Sequence, residues 1–282
     1  MPADTPPPAV PRATYRVQLH AGFTFDDAAA VVPYLARLGI SHLYCSPYFA
    51  AVPGSTHGYD VVDPALLNPE LGGEAGFLRL VAALDAHGMS QVLDVVPNHM
   101  ATVVPGNRWW WDVLENGPAS RYAGHFDIDW DPPERKLRAT VLVPVLEDHI
   151  GRVLEAGGLR LRRAGGGVEV VYHDHRFPVS PRSLDTVLGA AAERVQSAEL
   201  ATIADSLARL PHAERTEPDA MLRRHRDKEV VRAWLARLCQ EDADVAAAID
   251  AELARIEADV SAFDDLLDRQ NYRLAYWRVA NE

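Results

Sequence analysis

Apolar and polar positions repeat with two different periods over the first hundred residues, and each change of period marks an element. ATYRVQL (13–19) has β-rich composition and reads as a strand. FTFDDAAAVVPYLARLG (23–39) reads as a helix, with Thr24 as its cap and Asp27 three residues on in capping-box position. Gly39 is placed to end it, and Pro33 inside it should kink or loosen one turn. ISHLYCS (40–46) predicts a second strand, and the Gly- and Pro-dense stretch from Ala50 to Gly73 predicts a long loop. EAGFLRLVAALDAHG (74–88) sets Phe77, Leu80, Val81 and Leu84 at helical spacing before Gly88. QVLDVV (91–96) predicts a third strand, lying in the core. Strand, helix, strand, helix, strand is the pattern of βαβ units and a parallel sheet, an α/β fold.

After Met100 the pattern changes. Residues 101–135 are irregular and rich in tryptophan, and short β-like runs with intervening glycines fill 136–180. From about 183 the chain turns helical and alanine-rich. Val245, Ile249, Leu253, Ile256, Val260, Phe263 and Leu267 predict one apolar face of a single long helix. The division expected is a disordered Pro-rich tail over 1–12, three βα units over 13–100, and an inserted, mostly helical subdomain over 101–282. A closed barrel needs eight strands and a doubly wound sheet usually five, whereas three are visible, so the chain is expected to be cut off at Glu282.

Sites in parallel-sheet proteins form at the carboxyl ends of strands, where the third predicted strand finishes on Asp94, Asn98 and His99. A carboxylate in an apolar run is costly to bury without a donor, so Asp94 points to an organised polar network. His57, Gly58, Tyr59 and Asp60 follow strand two on the same side. A tyrosine held there can stack on a sugar ring; the plainer reading is a Gly-rich turn with an Asx-type aspartate. His57, Asp60, Asp94 and His99 are ligand types but have no known metal spacing, so no metal is expected. His173, Asp174 and His175 read as solvent-facing positions of an amphipathic strand. In the cluster Trp109, Trp110, Trp111, Tyr122, Phe126 and Trp130, at least two of the three consecutive tryptophans are expected to pack inward, while glucan-binding loops also need such flat faces. No GxGxxG, P-loop or GxSxG elbow is present, which argues against a dinucleotide, ATP or an acyl-serine.

A formal charge of −12 over 282 residues disfavours nucleic acid and anionic membranes as partners and fits a neutral ligand. Two cysteines far apart fit a reducing compartment. With no apolar signal-type segment and no run of membrane-spanning length, a soluble cytoplasmic protein is expected.

DVVPNH (94–99) resembles the first conserved region of the α-amylase superfamily of glycoside hydrolases and transglycosylases, at the end of the third barrel strand. TYRVQLHAGFTF, LGISHLYCSPYFAAVPGSTHGYDVVDP, ELGG and VVPNHMA together resemble, more narrowly, the maltooligosyltrehalose synthases, and QNYRLAYWRVANE (270–282) resembles the segment before their fourth strand. The resemblance runs from about Ala13 to Glu282 and is looser over 136–260. It implies an incomplete (β/α)8 TIM barrel with a subdomain inserted after strand three. The implied activity converts the reducing-end α-1,4 linkage of a maltooligosaccharide to α,α-1,1 by retaining glucosyl transfer, in trehalose synthesis. It further implies that His99 hydrogen-bonds the reacting sugar, Tyr59 stacks beneath it, Asp60 supports the loop or site, and Asp94 organises the site through an arginine outside this chain. His57 belongs to the same binding group. Asn98 matches a position that contributes to calcium binding in many amylases, but nothing else supplies a calcium cage, and no cofactor is expected. The family's nucleophile and acid/base would follow Glu282. Glu147 with Asp148, or Asp112 with Glu115, match no catalytic motif, so the chain as written is expected to be inactive. The rival readings are an amylase-like or trehalose-releasing hydrolase and a non-catalytic glucan-binding remnant.

Overall fold

The computed structural model describes residues 10–102 and 106–281. The chain divides into two compact units, Met1–Arg108 and Trp109–Glu282. Most of the Pro-rich tail lies outside the described residues; Arg12 already donates its backbone N–H to Ser41 Oγ at 2.9 Å.

The first unit is built on a parallel sheet of three strands: β1 (Thr14–Val17), β2 (His42–Cys45) and, numbered after the pair described below, β5 (Ser90–Leu93). β2 lies in the middle, and Val17, Cys45 and Leu93 share one rank of the register. Two helices, α1 (Phe25–Arg37) and α2 (Gly73–Ala86), make the crossovers and pack on each other. At the start of α1 the Thr24 N–H and hydroxyl both donate to Asp27 Oδ2 at 2.8 Å, and Pro33 is accommodated within the helix.

Strand alternation sorts the sheet into two faces. One face, with Val17, Leu43 and Cys45, joins Phe25, Val32, Leu35, Leu80 and Leu84 in the core. The other carries Arg16, His42 and Tyr44, so the face away from the helices is polar.

Two expectations are corrected here. The third strand does not lie in the core: it stops at Leu93, only β2 pairs with it, and Leu93 and Val95 are each 55% exposed. Its composition is that of a buried strand, but its second side has no partner strand among the described residues. The expected long loop contains an antiparallel pair, β3 (Phe49–Ala51) and β4 (Val61–Leu67). Val52 N–H donates to Asp60 O at 3.0 Å, which closes residues 53–59 into a hairpin tip.

In the second unit α3 (Arg108–Asn116) precedes β6 (Val141–Leu146), which pairs in parallel with β10 (Tyr272–Tyr276) near the end of the chain. Between them lie α4 (Ile150–Glu155) and an antiparallel sheet of β7 (Arg160–Ala164), β8 (Gly167–Tyr172) and β9 (His175–Pro178). There follow α5 (Asp185–Val195), α6 (Ala198–Ala208), α7 (Pro218–Glu241), α8 (Ala243–Glu257) and α9 (Val260–Asp268).

The single long helix is a further correction. α8 and α9 are separate, because Asp259 leaves helical geometry and its side chain caps α9 at Ala262 N. The apolar face continues across the break, burying Ile249, Leu253, Ile256 and Phe263. His173 and Asp174 form the turn between β8 and β9, with His173 at φ +50°, so they are not strand positions.

Candidate functional site

Beyond the carboxyl ends of the three parallel strands, Asp94 stands one residue past β5 and is half-buried. Two phenols meet it: Tyr59 donates to Asp94 Oδ2 at 2.6 Å and Tyr44 donates to the same oxygen at 3.2 Å. The first distance is that of a charge-assisted O–H···O⁻ bond. Donating this bond to the carboxylate raises the Tyr59 pKa above the ordinary phenol range, against a smaller opposite pull from Arg16, so Tyr59 stays a donor. Arg16 Nη2 donates to Tyr59 Oη at 3.1 Å, its guanidinium lies 5.5 Å from the Tyr44 ring centre, and Nη1 donates to Gln18 Oε1 at 2.8 Å.

The hairpin tip delivers Tyr59 from the other side. Gly58 takes φ +76°, and a Cβ there would sit 2.9 Å from the Pro47 carbonyl oxygen, so glycine is required by both conformation and space. Ser55 Oγ donates to Asp60 Oδ1 at 2.5 Å and accepts from Gly58 N at 3.1 Å. His57 Nδ1 accepts from Tyr59 N at 3.1 Å and lies 3.7 Å from Asp60 Oδ1; its ring stacks near Tyr59 with centroids 6.0 Å apart. Asp60 therefore faces the inside of the tip and buttresses it.

His99 ties the strand end to that tip. Its Nε2 donates to the Tyr59 carbonyl at 3.1 Å, and its Nδ1 lies 3.1 Å from Asn98 Oδ1. All six residues singled out in the sequence thus gather in one unit, linked through Tyr59. Arg16 and Tyr44 were missed, although alternation already sets them on one strand face: Arg16 and Tyr44 are partners in register. Within the chain, Asp94 finds donors in Tyr44 and Tyr59. No group of three or more His, Cys, Asp or Glu side chains placed to hold a metal ion occurs among the described residues.

The second unit holds its own charged cluster. Glu115 accepts from Lys228 Nζ at 2.6 Å and from Arg232, beside a cavity of about 160 Å³. Burial pushes the Glu115 pKa up, but Lys228 and Arg232 together outweigh it and hold the carboxyl below its usual range. Asp112 accepts from Ser120 Oγ at 2.6 Å and from Arg121 N at 3.2 Å. These acids are occupied by structural partners. Glu147 is largely exposed, and Asp148 is engaged by its neighbour His149 N–H at 2.8 Å. Trp109 stacks on Tyr122 at 4.9 Å and Trp110 meets Phe126 edge-on at 5.1 Å. Trp109, Trp110 and Trp111 are all half-buried, so none packs fully inward.

Residues 29–144 match the family model of the alpha-amylase catalytic domain. With the parallel sheet and its strand-end site, that match gives the class: an α/β fold similar over those residues to the alpha-amylase catalytic domain. Within the class the similarity is to maltooligosyltrehalose synthases. A Mycobacterium tuberculosis (strain ATCC 25618 / H37Rv) protein assigned as a maltooligosyl trehalose synthase is 43% identical over 188 residues, 64% of this chain and 23% of its own. The solved maltooligosyltrehalose synthase of Arthrobacter ramosus is 31% identical with a TM-score of 0.59, covering 96% of this chain and 24% of that one. The Bacillus subtilis intracellular maltogenic amylase is 39% identical over 95 residues, 34% of this chain and 15% of its own. The chain spans about a quarter of the length of the synthases it matches. No described helix is long and apolar enough to cross a membrane.

Proposed function

We propose that this chain supplies the sugar-positioning part of a maltooligosyltrehalose synthase. That enzyme rearranges the reducing-end α-1,4 linkage of a maltooligosaccharide to α,α-1,1 in trehalose synthesis. The observation that carries the proposal is coverage: by sequence the synthase aligns over 64% of the chain and the amylase over 34%, and the synthase structure aligns over 96%, both units included. The alpha-amylase family match ends at residue 144 and leaves most of the second unit uncovered.

In this reading β1, β2 and β5 are the first three strands of a (β/α)8 barrel, and the second unit is inserted after the third. The support is physical. Parallel sheets bury both faces and pair both edges, yet β1 and β5 leave Tyr15 and Leu93 exposed at 46% and 55%. The polar face carrying Arg16, His42 and Tyr44 becomes the barrel interior, and Asp94 stands at its mouth.

Tyr59 supplies an apolar ring face to the reacting sugar, with its hydroxyl pinned by Asp94 and Arg16. His99 exchanges its bond to the Tyr59 carbonyl for one to a sugar hydroxyl. His57, Asp60 and Asn98 hold the rim. The nucleophile and the acid/base are assigned to chain beyond Glu282, and neither metal nor cofactor takes part. A carboxylate nucleophile forms the glucosyl-enzyme, the acid protonates the leaving oxygen, and the released glucose returns through its anomeric hydroxyl. Water competes at that last step, so a closed site is the central requirement. A cytoplasmic location and a neutral glucan partner belong to the same reading, with nucleic acid and membranes excluded as partners.

The test is product analysis of the complete protein with maltopentaose. A non-reducing product of unchanged length supports the synthase. Shorter reducing sugars or free trehalose would establish a hydrolase, and saturable binding without turnover a glucan-binding remnant.

A further inference from the structure

The second unit holds a cavity of about 330 Å³ whose lining is unbalanced in charge. Arg138, Arg182, Arg224, Arg269 and Arg273 line it, against Glu214 and Asp268. Three of the arginines have carboxylate partners: Arg138 with Asp131, Arg269 with Asp185, and Arg273 with Asp268. Among the described residues, the other two are held by neutral acceptors. Arg182 donates to the carbonyls of Ala208 and Leu210. Arg224 donates to Asn116 Oδ1 at 3.1 Å and Pro211 O at 2.6 Å.

Arg224 is fully buried, and its Nη2 has no hydrogen-bond partner among the described residues. A buried guanidinium with an open N–H is costly. Burial, with a smaller push from Arg182, brings its pKa down to about 10 against the opposing pull of Glu115 and Asp112. Two guanidiniums that repel each other thus line one polar cavity, and neither has an ion-pair partner among the described residues. Guanidinium forks match the oxygens of a tetrahedral oxyanion.

We propose that this cavity is a binding site for a phosphate-type oxyanion, taken either as the free ion or as the monoester of a small sugar. The site lies wholly within residues 138–273 and is independent of the strand-end site in the first unit.

Calorimetric titration of the 282-residue chain, at ionic strength held constant with chloride, tests this. Inorganic phosphate and glucose 6-phosphate are the two probes. Saturable one-site binding of phosphate with no gain from the ester assigns the free ion; at least tenfold tighter binding of the ester assigns the monoester. Failure of both to saturate below about 10 mM overturns the proposal. Arg182→Gln should weaken binding at least tenfold. Because Arg182 also braces two carbonyls, Ala213→Glu serves as the second variant. It adds a carboxylate to the cavity lining without removing a side-chain hydrogen bond. Ala213→Glu should likewise weaken phosphate binding at least tenfold while the circular dichroism of the fold is kept. Wild-type affinity in folded Ala213→Glu refutes the site.

Discussion

Glu115→Gln tests how the second unit is held together. Glu115, 3% exposed, joins Lys228, also 3% exposed, to Arg232. The amide keeps the shape and removes the charge, leaving the Lys228 ammonium buried. Removing one member of a buried pair costs about 3–5 kcal/mol. Here Glu229 at 3.2 Å and Asp112 at 3.8 Å remain beside Lys228, so the expected loss falls near the lower end, about 3 kcal/mol. For a unit of this size that is a fall in Tm of roughly 6–12 °C. All six tryptophans lie at or after Trp109, so tryptophan fluorescence during urea unfolding reports this unit alone. Adding Lys228→Met should recover part of the loss, since no unpaired ammonium is then left. The folded-state pKa of Glu115 is depressed below its ordinary 4.5. Its contribution is therefore complete above that value and is lost as pH falls through the depressed one, so wild type and Glu115→Gln should converge in acid. A loss below about 1 kcal/mol at pH 7, with no convergence in acid, would refute the reasoning.

Other outcomes follow from the strand-end site. Tyr59→Phe removes the 2.6 Å donor to Asp94 and the acceptor for Arg16, and should weaken maltooligosaccharide binding by the complete protein about tenfold in calorimetry; unchanged affinity would remove Tyr59 from the site. His99→Ala should lower turnover of that protein by an amount on the order of 1.5–3 kcal/mol if its bond to the sugar is charge-assisted, and an unaltered rate would end that role. Gly58→Ala places a Cβ at φ +76° against the Pro47 carbonyl and should destabilise the hairpin tip by about 2 kcal/mol, seen as faster amide exchange over 52–60. Exchange at the wild-type rate would show that the tip tolerates the left-handed strain. Tyr59→Ala should raise hydrolysis relative to isomerisation, with product ratios as the check.

Sequence alone determined what depends on neighbours along the chain. The Thr24–Asp27 box, the helices ending near Gly39 and Gly88, and the strand–helix alternation rest on local propensity and period, and they appear as read. The site candidates were legible for the same reason: Asp94, Asn98 and His99 break an apolar run, and His57 to Asp60 break a glycine-rich one. Tertiary structure decided what depends on partners distant in sequence. The apolar run 91–96 has the composition of a core strand, but burial is a property of the partner, and among the described residues β5 is paired on one side only. Arg16 became visible only when the register set β1 beside β2 and the hairpin brought Tyr59 across to it. The same holds for Lys228, one of only two lysines: nothing local marks it as buried, because what permits its burial is Glu115, more than a hundred residues away.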